Sequence, residues 1–147
     1  MSGATTLEQM LATQAREFEA ISGLPVRLEV EDNAQPPGED RRGATRQART
    51  GAAIFRIVQE ALTNAYKHAA ATEVQIHLRY QPGGIEVTIR DNGRGLPPDQ
   101  RGRQEDQRIY SGHGLRGMRE RAEEHGGSFE LGQAPAGGVQ IRVWMPT

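Results

Sequence analysis

No cysteine occurs anywhere in the chain. That excludes a disulfide framework, a thiolate nucleophile and thiolate metal sites, and it fits a reducing compartment. No sign of charge dominates: 18 Lys and Arg face 19 Asp and Glu, for a formal net charge of −1. A general nucleic-acid binder or a polybasic membrane anchor needs a basic excess, so neither class fits. Aromatic residues are scarce at 5%. None is interleaved with the arginines of EDRRGATRQAR, which leaves that run without the stacking platform of a single-strand binder. No apolar run approaches the length of a membrane span, and no signal-peptide pattern stands at the start. What remains is 147 residues, 35% of them hydrophobic and 18 of them glycine. That suits one domain with a small core and long polar or glycine-rich loops.

Periodicity locates the elements. Leu7, Met10, Leu11, Phe18 and Ile21 share one helical face, and Gly23 with Pro25 marks the stop. Val26, Leu28 and Val30 alternate as in a half-buried strand. Residues 31–51 lose all periodicity, contain Pro36-Pro37-Gly38, and are expected to be a mobile loop. Ile54, Ile57, Val58, Ala61, Leu62 and Ala65 then recur at i, i+3, i+4, i+7, the stripe of a helix packed on a core. Val74, Ile76, Leu78 and Tyr80 alternate, Gln81-Pro82-Gly83-Gly84 turns, and Ile85, Val87 and Ile89 alternate again. Residues 97–111 are polar and aperiodic. Leu115, Met118 and Ala122 mark a third helix ending at Gly126-Gly127. Phe129 and Leu131 begin a short strand, Gln133 to Gly138 turns, and Val139, Ile141 and Val143 form a last strand. Strands outnumber helices and form hairpins. The fold class is therefore α+β, a two-layer sandwich with helices on one face of a mixed, mainly antiparallel sheet, in a single domain over residues 1–147.

Three stretches carry chemistry. On the central helix, Glu60, Asn64, Lys67 and His68 fall within roughly a quarter of the circumference beside the apolar stripe. An amide oxygen can ligate Mg²⁺, Lys and His donate to phosphate, and a carboxylate orients a nucleophile, so the edge suits an oxyanion together with a hard cation. Asp91-Asn92-Gly93-Arg94-Gly95 follows a strand directly. A carboxylate there accepts from an N–H donor such as an exocyclic amine, while the glycines allow close approach. A tight turn with Asp capping its own backbone uses the same residues. A calcium loop does not fit, because glycines stand where carboxylates should recur. Gly112-His113-Gly114-Leu115-Arg116-Gly117 is literally G-x-G-x-x-G. It lacks the preceding strand of a dinucleotide fingerprint, and the absence of GK[ST] excludes a P-loop. Glycines entering a helix nevertheless present free N–H groups to a phosphate, and the loop before them is long enough to be a lid.

These stretches resemble the boxes of the histidine-kinase and gyrase-type ATPase superfamily, the Bergerat fold. QEALTNAYKHA is similar to its N box, DNGRGLP to its G1 box, GHGLRGM to its G2 box, and Gly137-Gly138 to its third glycine motif. Four boxes in order cover roughly Leu7 to Pro146. RIVQEALTN with KHA, and GLRGMRERAEEHGG, look most like the sensor kinases that work with helix-turn-helix response regulators. The resemblance implies ATP and Mg²⁺ as cofactors. It implies that Asn64 ligates the metal, that Lys67 and His68 lie near the phosphates, and that Asp91 accepts from adenine N6 with Gly93 and Gly95 giving the base room. Gly112, His113 and Gly114 would belong to the lid hinge, with Leu115 covering the nucleotide. Glu60 would position or polarise the reacting groups. Two departures stand out. Val139 occupies a position where the family often has a threonine hydroxyl near the Asp–adenine network, and no aromatic F box is recognisable between Gly95 and Gly112.

A histidine kinase also needs a histidine to phosphorylate. His68 belongs to the nucleotide edge, His77 points outward on a strand, His113 is in the lid and His125 ends a helix. None opens a dimerisation helix with an adjacent acid. The chain is thus expected to be the catalytic domain alone, a monomer in isolation. Its partners would be the phosphoacceptor and dimerisation domain, N-terminal to Met1 in the parent protein, and indirectly a response regulator. No nucleic-acid or direct membrane contact is expected. The expected location is the cytoplasm, whether or not the parent carries a membrane anchor. Two other readings share the fold: an anti-sigma-type serine kinase, and an interaction module that has lost nucleotide binding.

Overall fold

The computed structural model describes residues 6–32, 41–68, 70–93, 113–135 and 137–147. Among these, the chain runs α1 (Leu7–Ser22), β1 (Val26–Asp32), α2 (Arg41–His68), β2 (Val74–Gln81), β3 (Gly84–Asp91), α3 (His113–Glu124), β4 (Ser128–Gln133) and β5 (Val139–Pro146). That order is the one expected from the periodicities. Helix α1 begins where Thr6 and Gln9 satisfy each other: the Gln9 N–H donates to Thr6 Oγ1 at 3.1 Å, and the Thr6 N–H donates to Gln9 Oε1 at 2.9 Å. This reciprocal cap fills two of the donors that every helix start leaves open. The helix ends at Gly23, whose φ of 76° is the left-handed stop and whose N–H donates to the Glu19 carbonyl.

The five strands form one sheet in the order β1-β2-β3-β5-β4. Strands β1 and β2 are parallel, so they require a crossover, and α2 supplies it. All the other pairs are antiparallel, through the β2–β3 and β4–β5 hairpins and the β3–β5 pairing. The sheet is mixed and mainly antiparallel, as expected.

One face of the sheet is apolar. Val74, Ile76 and Leu78 of β2, Ile85, Val87 and Ile89 of β3, and Val139, Ile141, Val143 and Met145 of β5 are all buried. Against them lie Ile54, Ile57, Val58, Ala61, Leu62 and Ala65 of α2 and Leu115, Met118 and Ala122 of α3, all buried too. The other face is polar and carries ion pairs such as Arg79 with Glu31 at 3.0 Å. Helices therefore cover one side only.

Two expectations need correction. Residues 41–51, expected as loop, are the first turns of α2. Lengthening a nucleated helix fixes one residue per hydrogen bond, and Ala, Arg and Gln have good helix propensity, so a polar stretch continues a helix without an apolar stripe. Ile21, expected on the inward face of α1, is 88% exposed. Leu11, Gln14 and Ala15 define the buried stripe; Ile21 keeps its phase, about 20° from Gln14 at the 100° step of a helix, but stands in the last turn, one residue from the helix end, beyond the stretch that packs. Residues 33–40 of the expected first loop and the whole lid, 97–111, lie outside the described residues.

Candidate functional site

Asp91 is the last residue of β3 and lies on the inward parity of Ile85, Val87 and Ile89. It is 8% exposed. One carboxylate oxygen, Oδ1, accepts two backbone N–H groups: Gly93 at 2.9 Å and Val139 at 3.2 Å. The first comes from the tight turn after the strand, the second from the start of the neighbouring strand β5. No described residue donates to Oδ2. Burial raises the carboxyl's pKa above its ordinary value, against the lowering effect of the two N–H donors. The result is a carboxylate fixed at a strand end through one oxygen, with the other without a donor among the described residues.

Gly138 completes this arrangement. A Cβ built on it would overlap the Asp91 carbonyl and stand 2.5 Å from Asp91 Oδ1. Only a residue without a side chain lets β5 approach closely enough for the Val139 N–H to reach the carboxylate.

Asn64 is 4% exposed, among the buried Ala61, Leu62 and Ala65 on the sheet-facing side of α2. Its amide Nδ2 is buried without a hydrogen-bond partner among the described residues. Leaving such a donor unpaired costs about 1–3 kcal/mol, which favours a role that requires an amide at this position. The neighbours grouped with it on the helix wheel divide differently: Glu60 and Lys67 are exposed. The backbone of His68 closes α2, and its side chain lies outside the described residues. So do Gly95 and Gly112. His113 and Gly114 begin α3, so the N–H groups of its first turn have no partner within the helix. Leu115 is 2% exposed and belongs to the hydrophobic core.

A cleft of about 130 Å³ opens beside Asp91, lined by Glu73, Gln75, Arg90, Asn92, Ala134 and Pro135. Gln75 and Arg90 face the polar side of the sheet, and Asn64 does not line this cleft. As bounded by the described residues, it is smaller than the roughly 300–1,000 Å³ of typical ligand pockets. No group of three or more His, Cys, Asp or Glu capable of holding a metal occurs among the described residues. A metal that keeps water and phosphate ligands needs no such cage.

Residues 50–147 match the family of histidine kinase-, DNA gyrase B- and HSP90-like ATPases. The chain belongs to that family. Among curated relatives, it is 30% identical over 140 residues to the sensor histidine kinase LiaS of Bacillus subtilis, covering 95% of this chain and 34% of LiaS. It is 36% identical over 93 residues to the sensor protein VraS of Staphylococcus haemolyticus, covering 63% of this chain and 25% of VraS. The chain thus spans about a quarter to a third of the length of these relatives. Among solved structures, the ATP binding domain of PrrB from Mycobacterium tuberculosis matches at a TM-score of 0.65 and 25% identity, covering 97% of this chain and 94% of that one. The mycobacterial sensor histidine kinase MprB shares the fold at a TM-score of 0.60 and 23% identity, over 95% of this chain and 91% of that one. The α+β sandwich expected from the motifs is therefore the ATPase-family fold. No described helix is long and apolar enough to cross a membrane.

Within this ATPase-family fold, two contributors escaped the residue-type reading. Val139 figured only as a missing hydroxyl, yet its backbone N–H donates to Asp91. No side-chain signal can reveal that bond, because every residue except proline carries an N–H. Asn92 passed as the second letter of DNGRG. Its amide bonds to Thr72 and Glu73. Spacing could not show these bonds, because Asn ordinarily bonds backbone a few residues away and these partners stand 19 and 20 residues off.

Proposed function

We propose that this chain is the ATP-binding catalytic domain of a sensor histidine kinase, transferring the γ-phosphoryl group of Mg·ATP to a histidine on a separate dimerisation domain. The observation that carries this reading is Asp91: a buried carboxylate fixed through one oxygen and open through the other, at the position where the family reads adenine N6. Such an acceptor favours a base bearing an amino group. Asn64 is assigned to Mg²⁺ through its amide oxygen, and its buried, unpartnered Nδ2 fits a side chain whose partners come with the ligand. The metal would neutralise phosphate charge when bound.

The chain's own residues then divide the work. Asp91 with Gly93 and Gly95 holds the base. Lys67 and His68 donate to the phosphates, and Gly112, His113 and Gly114 bring the lid and the first N–H groups of α3 to them, with Leu115 behind. Glu60 positions the incoming imidazole. A ring nitrogen of the acceptor histidine bonds to the γ-phosphorus as the bond from that phosphorus to the ADP oxygen breaks, and the other ring nitrogen releases its proton. Little covalent chemistry is asked of the protein, and positioning with charge neutralisation suffices. The acceptor domain and, indirectly, a response regulator are the partners, and the parent protein acts from the cytoplasmic side. The isolated chain is a monomer.

Similarity to two sensor kinases favours histidine over serine as acceptor. The intact Asp91 and Asn64 count against a module that has lost nucleotide. The test is calorimetric titration with a Mg²⁺-bound ATP analogue, followed by transfer from labelled ATP to the parent's dimerisation domain. Saturable 1:1 binding and an acid-labile, base-stable phosphoprotein are expected. An acid-stable, base-labile product would point to serine, and no binding would overturn the proposal.

A further inference from the structure

Asn92 is exposed and directly follows the base-reading carboxylate. Its side chain turns back across twenty residues of sequence. Oδ1 accepts the N–H of Thr72 at 2.9 Å and of Glu73 at 3.1 Å, and Nδ2 donates to Thr72 Oγ1 at 2.8 Å. Every polar atom of that amide is thus committed to one short segment, which is the connection leaving α2 and entering β2. Val74, the next residue, is the register partner of Asp91. On the other side of Asn92, the Gly93 N–H is one of the two donors that hold Asp91 Oδ1.

This geometry has a direct consequence. The Asp91 carboxylate takes one of its donors from strand β5, which regular pairing holds in place. It takes the other from the turn Asp91-Asn92-Gly93, which has left the sheet. What anchors that turn among the described residues is the Asn92 amide. Without it, Gly93 would move independently of the strand, and Asp91 Oδ1 would keep only the longer bond from Val139.

We infer that Asn92 is a positioning residue for base recognition, bracing the Asp91–Gly93 turn against Thr72 and Glu73 so that the free oxygen of Asp91 stays aimed at the exocyclic amine of the base. The inference rests on the nucleotide reading of the site. Asn92 is given no substrate contact in this scheme: both polar atoms of its amide already bond the Thr72–Glu73 segment. Its effect should appear only where the base carries the amine that Asp91 reads.

The test compares ATP with inosine triphosphate, which carries a carbonyl oxygen in place of the adenine amine. Binding of each to the Mg²⁺-supplemented chain is titrated by calorimetry for wild type, Asn92→Ala, Thr72→Val and Thr72→Ser. Wild type prefers ATP. Asn92→Ala should lower that preference about tenfold, the scale of a hydrogen-bonded brace, while inosine triphosphate affinity stays within about twofold. Thr72→Val removes one bond and spares the two to the backbone, so it folds where Asn92→Ala fails to. It should lower the preference by about threefold, and Thr72→Ser, which keeps the hydroxyl, should restore it. Preference unchanged in Asn92→Ala or, where that variant does not fold, in Thr72→Val would overturn the inference. An equal loss for both nucleotides would also overturn it, because it marks general loosening. Wild type that binds both nucleotides without preference overturns the inference but leaves the nucleotide site standing. Wild type that binds neither overturns both.

Discussion

Gly138 lies so close to Asp91 that no side chain fits between them: a Cβ there would overlap the Asp91 backbone and stand 2.5 Å from its Oδ1. The contact joins the end of β3 to the start of β5 at the point where the Val139 N–H meets the carboxylate. Gly138→Ala must push the strands apart there, since the obstructing atoms include backbone that cannot rotate away. Overpacking of this kind costs about 1–3 kcal/mol, visible as a lowered urea midpoint. The loss of ATP affinity should be larger, at least about tenfold, because the carboxylate itself is displaced. Calorimetry on the folded variant checks this. Wild-type affinity would mean that the contact is structural only.

Asp91→Asn separates the charge from the shape. The two backbone N–H groups on Oδ1 fix the amide's orientation: they require its oxygen, so its NH₂ must point where Oδ2 stood. That NH₂ opposes the adenine amine and matches the carbonyl oxygen of inosine triphosphate. The variant should bind ATP at least about tenfold more weakly than wild type and should prefer inosine triphosphate. Competition titrations with the two nucleotides decide it.

The raised pKa of Asp91 makes both binding and stability depend on pH. Protonation turns Oδ2 from acceptor to donor, so ATP affinity should fall as pH falls through the raised value, above the ordinary Asp range near ~3.9. For stability the sign is opposite. A folded pKa above the unfolded one means that the native state holds the proton better. This contribution is complete below the ordinary value and is lost as pH rises through the raised one. Asp91→Asn does not titrate there, so its melting temperature relative to wild type should climb across that window. A flat difference between the two melting curves from acid to neutral pH would refute the assignment.

Much of this was legible from spacing alone. The stripe from Ile54 to Ala65 and the alternations of β2, β3 and β5 located the core because burial imposes a period on residue type. Asp91 was legible because a carboxylate beside glycines at a strand exit narrows the chemistry. The start of α2 was not, because a helix extended from a packed segment needs no apolar period. Ile21 misled because a residue in phase with the buried stripe is buried only where the helix still has something to pack against, and Ile21 lies in the last turn of α1. Nor could spacing reveal that Val139 serves through its backbone or that Gly138 makes room for it. Those depend on which strands become neighbours, and β3 pairs with β5 across some fifty residues.

Asn64 offers a test in which stability and function should move in opposite directions. Its Nδ2 is buried without a partner among the described residues. Replacing an unsatisfied amide by an apolar side chain of similar shape removes a desolvation cost of about 1–3 kcal/mol, so Asn64→Leu should melt higher than wild type. The same change deletes the amide oxygen assigned to Mg²⁺, so binding of Mg·ATP should fall by at least about tenfold. Thermal melts without nucleotide and calorimetry with it measure the two effects. A lower melting temperature would mean that the amide has a protein partner after all, and unchanged binding would remove Asn64 from the site.

Ala70 follows the C-terminal end of α2 with a φ of 53°, the only non-glycine residue with positive φ among those described. The left-handed region costs an L-residue with a Cβ about 1–2 kcal/mol, and glycine avoids that cost. Glycine also gains freedom in the unfolded chain, which offsets about 0.4–1 kcal/mol of the benefit. The net for Ala70→Gly should be a stabilisation of between about 0 and 1.6 kcal/mol, raising the melting temperature by up to roughly 6 °C at this chain length. The substitution lies just beyond Lys67 and His68 and just before the segment that Asn92 braces. A large change in ATP affinity alongside the small gain in stability would mean that the strained turn holds the last turn of α2 in its binding geometry. An unchanged affinity is the expected result, because Asn64 is anchored by the packing of Ala61, Leu62 and Ala65 one to two turns earlier.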